Sequence, residues 1–184
     1  AKQVAYGGLE VAPDGSLWVT SDIDSDFQRL GRLDPATGAF TPVSKEKWDV
    51  DGFDLSDDGK TIAYIVNEAG SHRLRIMDVA SGRVRNVDAL PAGLIGGLEI
   101  APWGEIGFSL SSAKSASDVW SLDPQTLQLT RWTQSETGGL DPAINVEPQI
   151  VTTKSFDGLE VSGLLYLPDA AKFPGKRPLI VNVH

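Results

Sequence analysis

The sequence predicts a mainly β chain: part of a β-propeller, about three four-stranded blades, followed by the opening strands of a second domain. Three observations predict it. Two motifs recur in phase at a step of about 44 residues. Between them lie short stretches rich in β-branched and aromatic residues, with no helical periodicity of useful length before Trp132. After Gln134 the repeat stops and a different pattern begins.

The first motif is Gly8-Leu9-Glu10-Val11-Ala12-Pro13-Asp14-Gly15. It returns as Gly52-Phe53-Asp54-Leu55-Ser56-Asp57-Asp58-Gly59 and as Gly97-Leu98-Glu99-Ile100-Ala101-Pro102-Trp103-Gly104, the closing glycines standing 44 and 45 residues apart. The second motif keeps the same step: Arg32-Leu33-Asp34-Pro35-Ala36-Thr37-Gly38, Ile76-Met77-Asp78-Val79-Ala80-Ser81-Gly82, and Ser121-Leu122-Asp123-Pro124-Gln125-Thr126-Leu127. In each, an alternating stretch runs into a tight turn, where Asp bonds its own backbone, Pro presets φ and Gly accepts positive φ. The runs Ser16-Leu17-Trp18-Val19-Thr20, Thr61-Ile62-Ala63-Tyr64-Ile65-Val66 and Asp118-Val119-Trp120-Ser121-Leu122 read as strands. About four strands per step is the period of a propeller blade, and three blades fit between residues 8 and 136. A wheel closes with ~4–8 blades, so further blades are expected before Ala1, and the open edges of three invite self-association.

Residues 1–137 are therefore assigned to the blades and 138–148 to an interdomain connection, rich in Gly, Pro and Asn. Residues 149–184 form the beginning of the second domain. Glu147 to Pro168 predicts a hairpin around Asp157-Gly158. After a polar loop, Pro178-Leu179-Ile180-Val181-Asn182-Val183-His184 predicts a strand buried on both faces, as in a parallel sheet. A stop directly after such a strand suggests that more protein follows.

Composition excludes some functions. Of 184 residues, 41% are hydrophobic and 22% charged, with 19 Gly and 11 Pro, the balance of a folded, turn-rich protein. A net charge of −9 repels phosphate backbones and anionic lipid, which argues against nucleic acid and membrane surfaces as partners. No apolar run approaches the ~20 residues of a membrane span. The absence of cysteine removes disulfides and thiolate chemistry without naming a compartment; a soluble protein is expected, with the cytoplasm favoured.

The last segment carries a resemblance. A strand leading into Phe156-Asp157-Gly158, then Gly163-Leu164-Leu165-Tyr166-Leu167-Pro168, a Pro-containing loop and Pro178-Leu179-Ile180-Val181-Asn182-Val183-His184 closely resembles the start of the hydrolase domain in prolyl oligopeptidase family serine peptidases. The blades before it agree with that family's order of propeller then hydrolase. The resemblance implies that 149–184 opens an α/β-hydrolase domain and that His184 begins the loop near the oxyanion hole. It also implies peptide hydrolysis by a Ser-His-Asp triad, the propeller gating access. The family's Gly-x-Ser-x-Gly elbow is absent from the chain. Gly107-Phe108-Ser109-Leu110-Ser111 imitates it but lacks the final Gly and falls in a blade strand, so the chain alone is expected to be inactive.

Several residues are candidates for binding. Glu10, Asp54 and Glu99 recur at one blade position and are candidates to line the central channel and recognise a substrate amine; the polar face of an alternating strand explains them equally. Asp22-Ile23-Asp24-Ser25-Asp26 imitates a calcium loop, yet Phe27 stands where the turn Gly belongs; no metal or other cofactor is expected. Arg73, Arg75, Arg83 and Arg85 alternate along two stretches and suit either a carboxylate ligand or an exposed strand face. Trp18, Trp48, Trp103, Trp120 and Trp132 read as blade cores. The alternatives to the peptidase are a non-catalytic propeller binding a protein or small ligand, and a metal-dependent propeller hydrolase, for which only Glu10, Asp54 and Glu99 are suitably repeated.

Overall fold

The computed structural model describes residues 3–183. Three four-stranded antiparallel sheets follow one another along the chain, each with its strands in sequence order. The first blade holds β1 (Tyr6–Val11), β2 (Leu17–Ser21), β3 (Arg29–Leu33) and β4 (Phe40–Pro42). The second holds β5 (Val50–Leu55), β6 (Thr61–Glu68), β7 (Ser71–Asp78) and β8 (Val84–Asn86). The third holds β9 (Leu94–Ile100), β10 (Ile106–Ser112), β11 (Ser115–Leu122) and β12 (Leu129–Arg131). The first strands lie innermost, β1 against β5 and β5 against β9.

Both repeated motifs close hairpins. In the first, Gly15, Gly59 and Gly104 take left-handed φ of 80°, 70° and 94°, and each donates its N–H to the carbonyl three residues back, of Ala12, Ser56 and Ala101. In the second, the carboxylates of Asp34, Asp78 and Asp123 accept backbone N–H groups of Ala36, Ser81 and Gln125. The third copy has Leu127 where the others have Gly, and it still adopts φ 60°. Its side chain packs against the core between the second and third blades, which offsets the steric cost of a left-handed non-glycine.

Two apolar cores alternate with the sheets. Trp18 and Leu30 meet Val50, Leu55, Ile62, Tyr64, Val66 and Met77 between the first and second blades. Ala63, Ile65, Leu74 and Ile76 meet Ile95, Ile100, Ile106, Phe108, Leu110 and Leu122 between the second and third. β6 serves both, even residues to one side and odd residues to the other, which is why Ile62 to Val66 is an unbroken apolar run. The outer faces lack such cover. Val11 is 62% exposed, while Leu55 and Ile100, at the same register in the next blades, are each 8% exposed.

Strand direction sorts the turns onto two rims. The hairpins β1–β2 and β3–β4, with their counterparts in the other blades, share one rim; the β2–β3, β6–β7 and β10–β11 turns share the other. The chain leaving the third blade stays on that second rim. Asp141 caps a short 3-10 turn at Pro142–Ile144, the Asn145 side-chain amide donates to Ala113 O at 2.9 Å, and Glu147 pairs with Lys114 at 3.3 Å. A two-stranded hairpin of β13 (Gln149–Lys154) and β14 (Glu160–Leu165) follows, with Leu164 beside Gly70 in the β6–β7 turn.

Two expectations need correction. Residues 176–183 form no strand, and Leu179, Ile180, Val181 and Val183 are exposed. A buried parallel strand needs neighbours to bond its backbone and cover both faces, and the described residues supply none. The described residues also contain no α-helix, so of the expected opening of an α/β-hydrolase domain they hold the hairpin alone. The tryptophans divide likewise: Trp18 is buried as a core residue, but Trp103 and Trp132 are 78% and 66% exposed. Trp103 sits in the β9–β10 turn, at the position Asp14 and Asp58 hold in the other blades.

Candidate functional site

Glu10, Asp54 and Glu99 occupy equivalent places, each the last residue but one of an inner strand, opposite Trp18, Ala63 and Gly107. A one-residue bulge in the inner strand precedes each by one to three residues, at Gly8, at Asp51 and between Gly96 and Glu99. The three carboxylates interact. Loss of hydration, and then the negative charges of Asp54 and Glu99, push the Glu10 carboxyl above its ordinary value of 4.5. Asp54 has a second task, since its Oδ2 accepts the Ile100 N–H of the neighbouring blade. The group is therefore an acidic column facing from blade to blade, with its middle member tied to backbone. It lies toward the β1–β2 turn rim, away from β13 and β14. Such a column suits a cation such as an amine.

His72 is the single histidine among the described residues. It is the second residue of β7, where its Nε2 lies 3.1 Å from Asp51 Oδ2 and its Nδ1 accepts the Ile95 N–H at 2.9 Å. A carboxylate on one ring nitrogen is the orienting half of a triad. The other nitrogen, however, is engaged by backbone of the third blade and meets no hydroxyl nucleophile among the described residues. Ser109 of the imitation elbow lies inside β10 and donates its hydroxyl to Gly96 O at 3.0 Å, so it has neither a base nor a strand-to-helix turn. His184 lies outside the described residues.

The other candidates take local roles. Asp22 accepts the Ala5 N–H at 2.8 Å, pinning the β2–β3 turn. Among the described residues no three His, Asp or Glu side chains converge as metal ligands. The arginines split into two pairs. Arg75 meets Glu68 at 2.5 Å and Glu46 at 3.7 Å, and Arg73 meets Glu68 at 3.5 Å. Tyr64, whose hydroxyl donates to Glu46 at 3.0 Å, completes that network; its phenol is pushed up by burial and by the Glu46 charge. Arg83 and Arg85 stand apart from it.

Sequence reasoning missed Asp118. This carboxylate is fully buried, and it accepts from the Ser115 hydroxyl, Arg131 Nη2 at 2.6 Å, Thr133 Oγ1 at 3.0 Å and Ser135 N at 2.7 Å. Those bonds hold it well below the usual carboxylate range, the Ser115 hydroxyl contributing most. The cluster clasps the segment leaving β12 to β11. Its signal was an acidic residue opening the strand run Asp118-Val119-Trp120-Ser121-Leu122, with Ser, Thr and Arg nearby in sequence.

No family model matches the chain, and no curated protein does. Solved structures do match. A crystal structure of puromycin hydrolase is 28% identical over 90% of this chain, with a TM-score of 0.75. Prolyl oligopeptidase B from Galerina marginata shares the fold over 87% of the chain, at a TM-score of 0.71 and 12% identity. TolB from Acinetobacter baumannii does so over 89%, at a TM-score of 0.59 and 18% identity. This chain spans 26% of the puromycin hydrolase chain and 23% of the oligopeptidase chain. The resemblance read from its last residues and the fold of its blades agree: the chain is similar to about a quarter of an enzyme of the prolyl oligopeptidase type.

Proposed function

We propose that this chain is the propeller-side part of a serine peptidase of the prolyl oligopeptidase family, in which the blades restrict access to a Ser-His-Asp site lying outside the chain. The observation that carries this reading is the match to puromycin hydrolase, which extends over 90% of the chain at 28% identity. On this reading residues 1–137 are blades, 138–148 connect, and 149–184 begin the hydrolase domain. The serine of the whole enzyme attacks the acyl carbon, histidine carries the proton, aspartate orients the histidine, and backbone donors receive the oxyanion. Substrates are short or unfolded peptides. Glu10 and Glu99, with Asp54 between them, attract a substrate amine at the channel mouth remote from β13 and β14.

The test is a fluorophosphonate serine-hydrolase probe applied to this chain and to the full-length gene product. Labelling of the full-length protein alone supports the proposal. Labelling of neither favours a binding propeller, a reading that the TolB likeness in fold accommodates. Labelling of this chain would mean that it holds a nucleophile of its own.

A further inference from the structure

Among the described residues, Arg83 and Arg85 are unlike the other arginines of the second blade. Arg73 and Arg75 are neutralised by Glu68 and Glu46. Neither Arg83 nor Arg85 enters any of the ion pairs among the described residues, although the chain carries a net charge of −9 and carboxylates outnumber cations. Arg83 immediately precedes β8 and Arg85 is its middle residue, a two-residue spacing that in extended backbone places both on one face. They line an open groove of about 530 Å³ between the outer strands of the second and third blades, together with Thr61, Asp78, Ser81 and Gln125. Arg85 is held in position by one bond, from Nη2 to Pro124 O, which leaves most of its five N–H donors free. The one acidic member, Asp78, is exposed, and one of its oxygens already accepts the Ser81 N–H at 2.8 Å and the Ser81 hydroxyl at 2.5 Å. The groove thus presents two guanidinium forks, a hydroxyl and an amide with a local formal charge of +1 in a strongly acidic protein.

We propose that this groove is an oxyanion site, taking a carboxylate or phosphate group between Arg83 and Arg85. Guanidinium forks bind such planar or tetrahedral oxygens bidentately, and one fork is already preorganised by Pro124. The groove opens on the rim of the β3–β4 and β7–β8 turns, opposite the rim from which β13 and β14 leave. A ligand there is remote from any hydrolase domain carried on that second rim. The inference does not rest on the peptidase reading.

Isothermal titration of the purified protein with inorganic phosphate and, separately, with succinate tests it, using sodium chloride at matched ionic strength as the control. Binding of either anion is expected, weakened about tenfold or more in Arg83→Gln/Arg85→Gln. Arg83→Lys, which keeps the charge and loses the fork, is expected to weaken it several-fold. Preference for phosphate identifies a phosphoryl ligand, and preference for succinate identifies a carboxylate. Because the Arg83 side chain has no ion-pair partner to lose among the described residues, Arg83→Gln serves if the double variant melts early. Absence of heat with both anions at millimolar concentration, or equal affinity in Arg83→Gln and wild type, overturns the proposal.

Discussion

Glu10 and Asp54 show how one sequence position acquires different physics in successive blades. The Glu10 carboxyl is pushed up by lost hydration and by its acidic neighbours, so the folded protein holds its proton more tightly than the unfolded chain does. Between the ordinary value of 4.5 and the raised one, the native state binds more protons. Stability therefore falls as pH rises through that window. Glu10→Gln is expected to flatten this part of the pH–stability curve and to raise the melting midpoint at neutral pH, as a thermal scan from pH 4 to pH 8 would read. Replacing Asp54 is instead expected to destabilise the fold through a lost hydrogen bond. Asp54→Ala leaves the Ile100 N–H without its acceptor and should cost about 1–3 kcal/mol in chemical denaturation, whereas Asp54→Asn keeps an acceptor oxygen and should cost less. Equal loss in both variants would show that charge, and not the bond, holds the blades together there.

At the scale of elements, the exit from the third blade is fixed by Asp118. Asp118→Ala removes the common partner of Ser115, Arg131, Thr133 and Ser135. It is expected to lower the melting midpoint by roughly 5 °C or more and to open residues 133–137 to proteolysis. Since the folded carboxyl is depressed, its contribution is complete above the ordinary aspartate range and fades only as pH drops below it. The blades themselves were legible in the sequence because turn chemistry and period agreed: Asp34, Asp78 and Asp123 all accept the backbone bonds their motif implied. Residues 178–183 were misread because an apolar run specifies burial only when a partner surface exists, and alternation cannot show whether it does. The column of Glu10, Asp54 and Glu99 was legible as a repeat. That Asp54 reaches the next blade's amide was not, because a blade-to-blade bond has no sequence spacing of its own. Arg83 and Arg85 were visible as charges, but only the fold separates them from Arg73 and Arg75.

At the scale of the whole molecule, the two end blades differ from the middle one in being covered on a single face. Val11 in the first blade and Val119 in the third, 62% and 49% exposed, hold places at which the other blades bury Leu55 and Leu74. These bare faces, with their inner-strand edges, are expected to associate. Sedimentation velocity should show a weight-average mass that rises with concentration, and Val11→Lys should reduce that rise. Mass independent of concentration would show that the faces are too polar or too mobile to pair.

The middle blade, in contrast, has apolar cores on both sides, and β6 contributes to each. Amide hydrogens along Ile62 to Val66 can reach solvent only when both cores come apart, so they report the global opening of the molecule. Those of β1, β13 and β14 report only local fraying. Deuterium uptake should therefore run inward from the ends, with the last protected amides in the centre of the second blade, where the chain is mid-length and the wheel is locally complete.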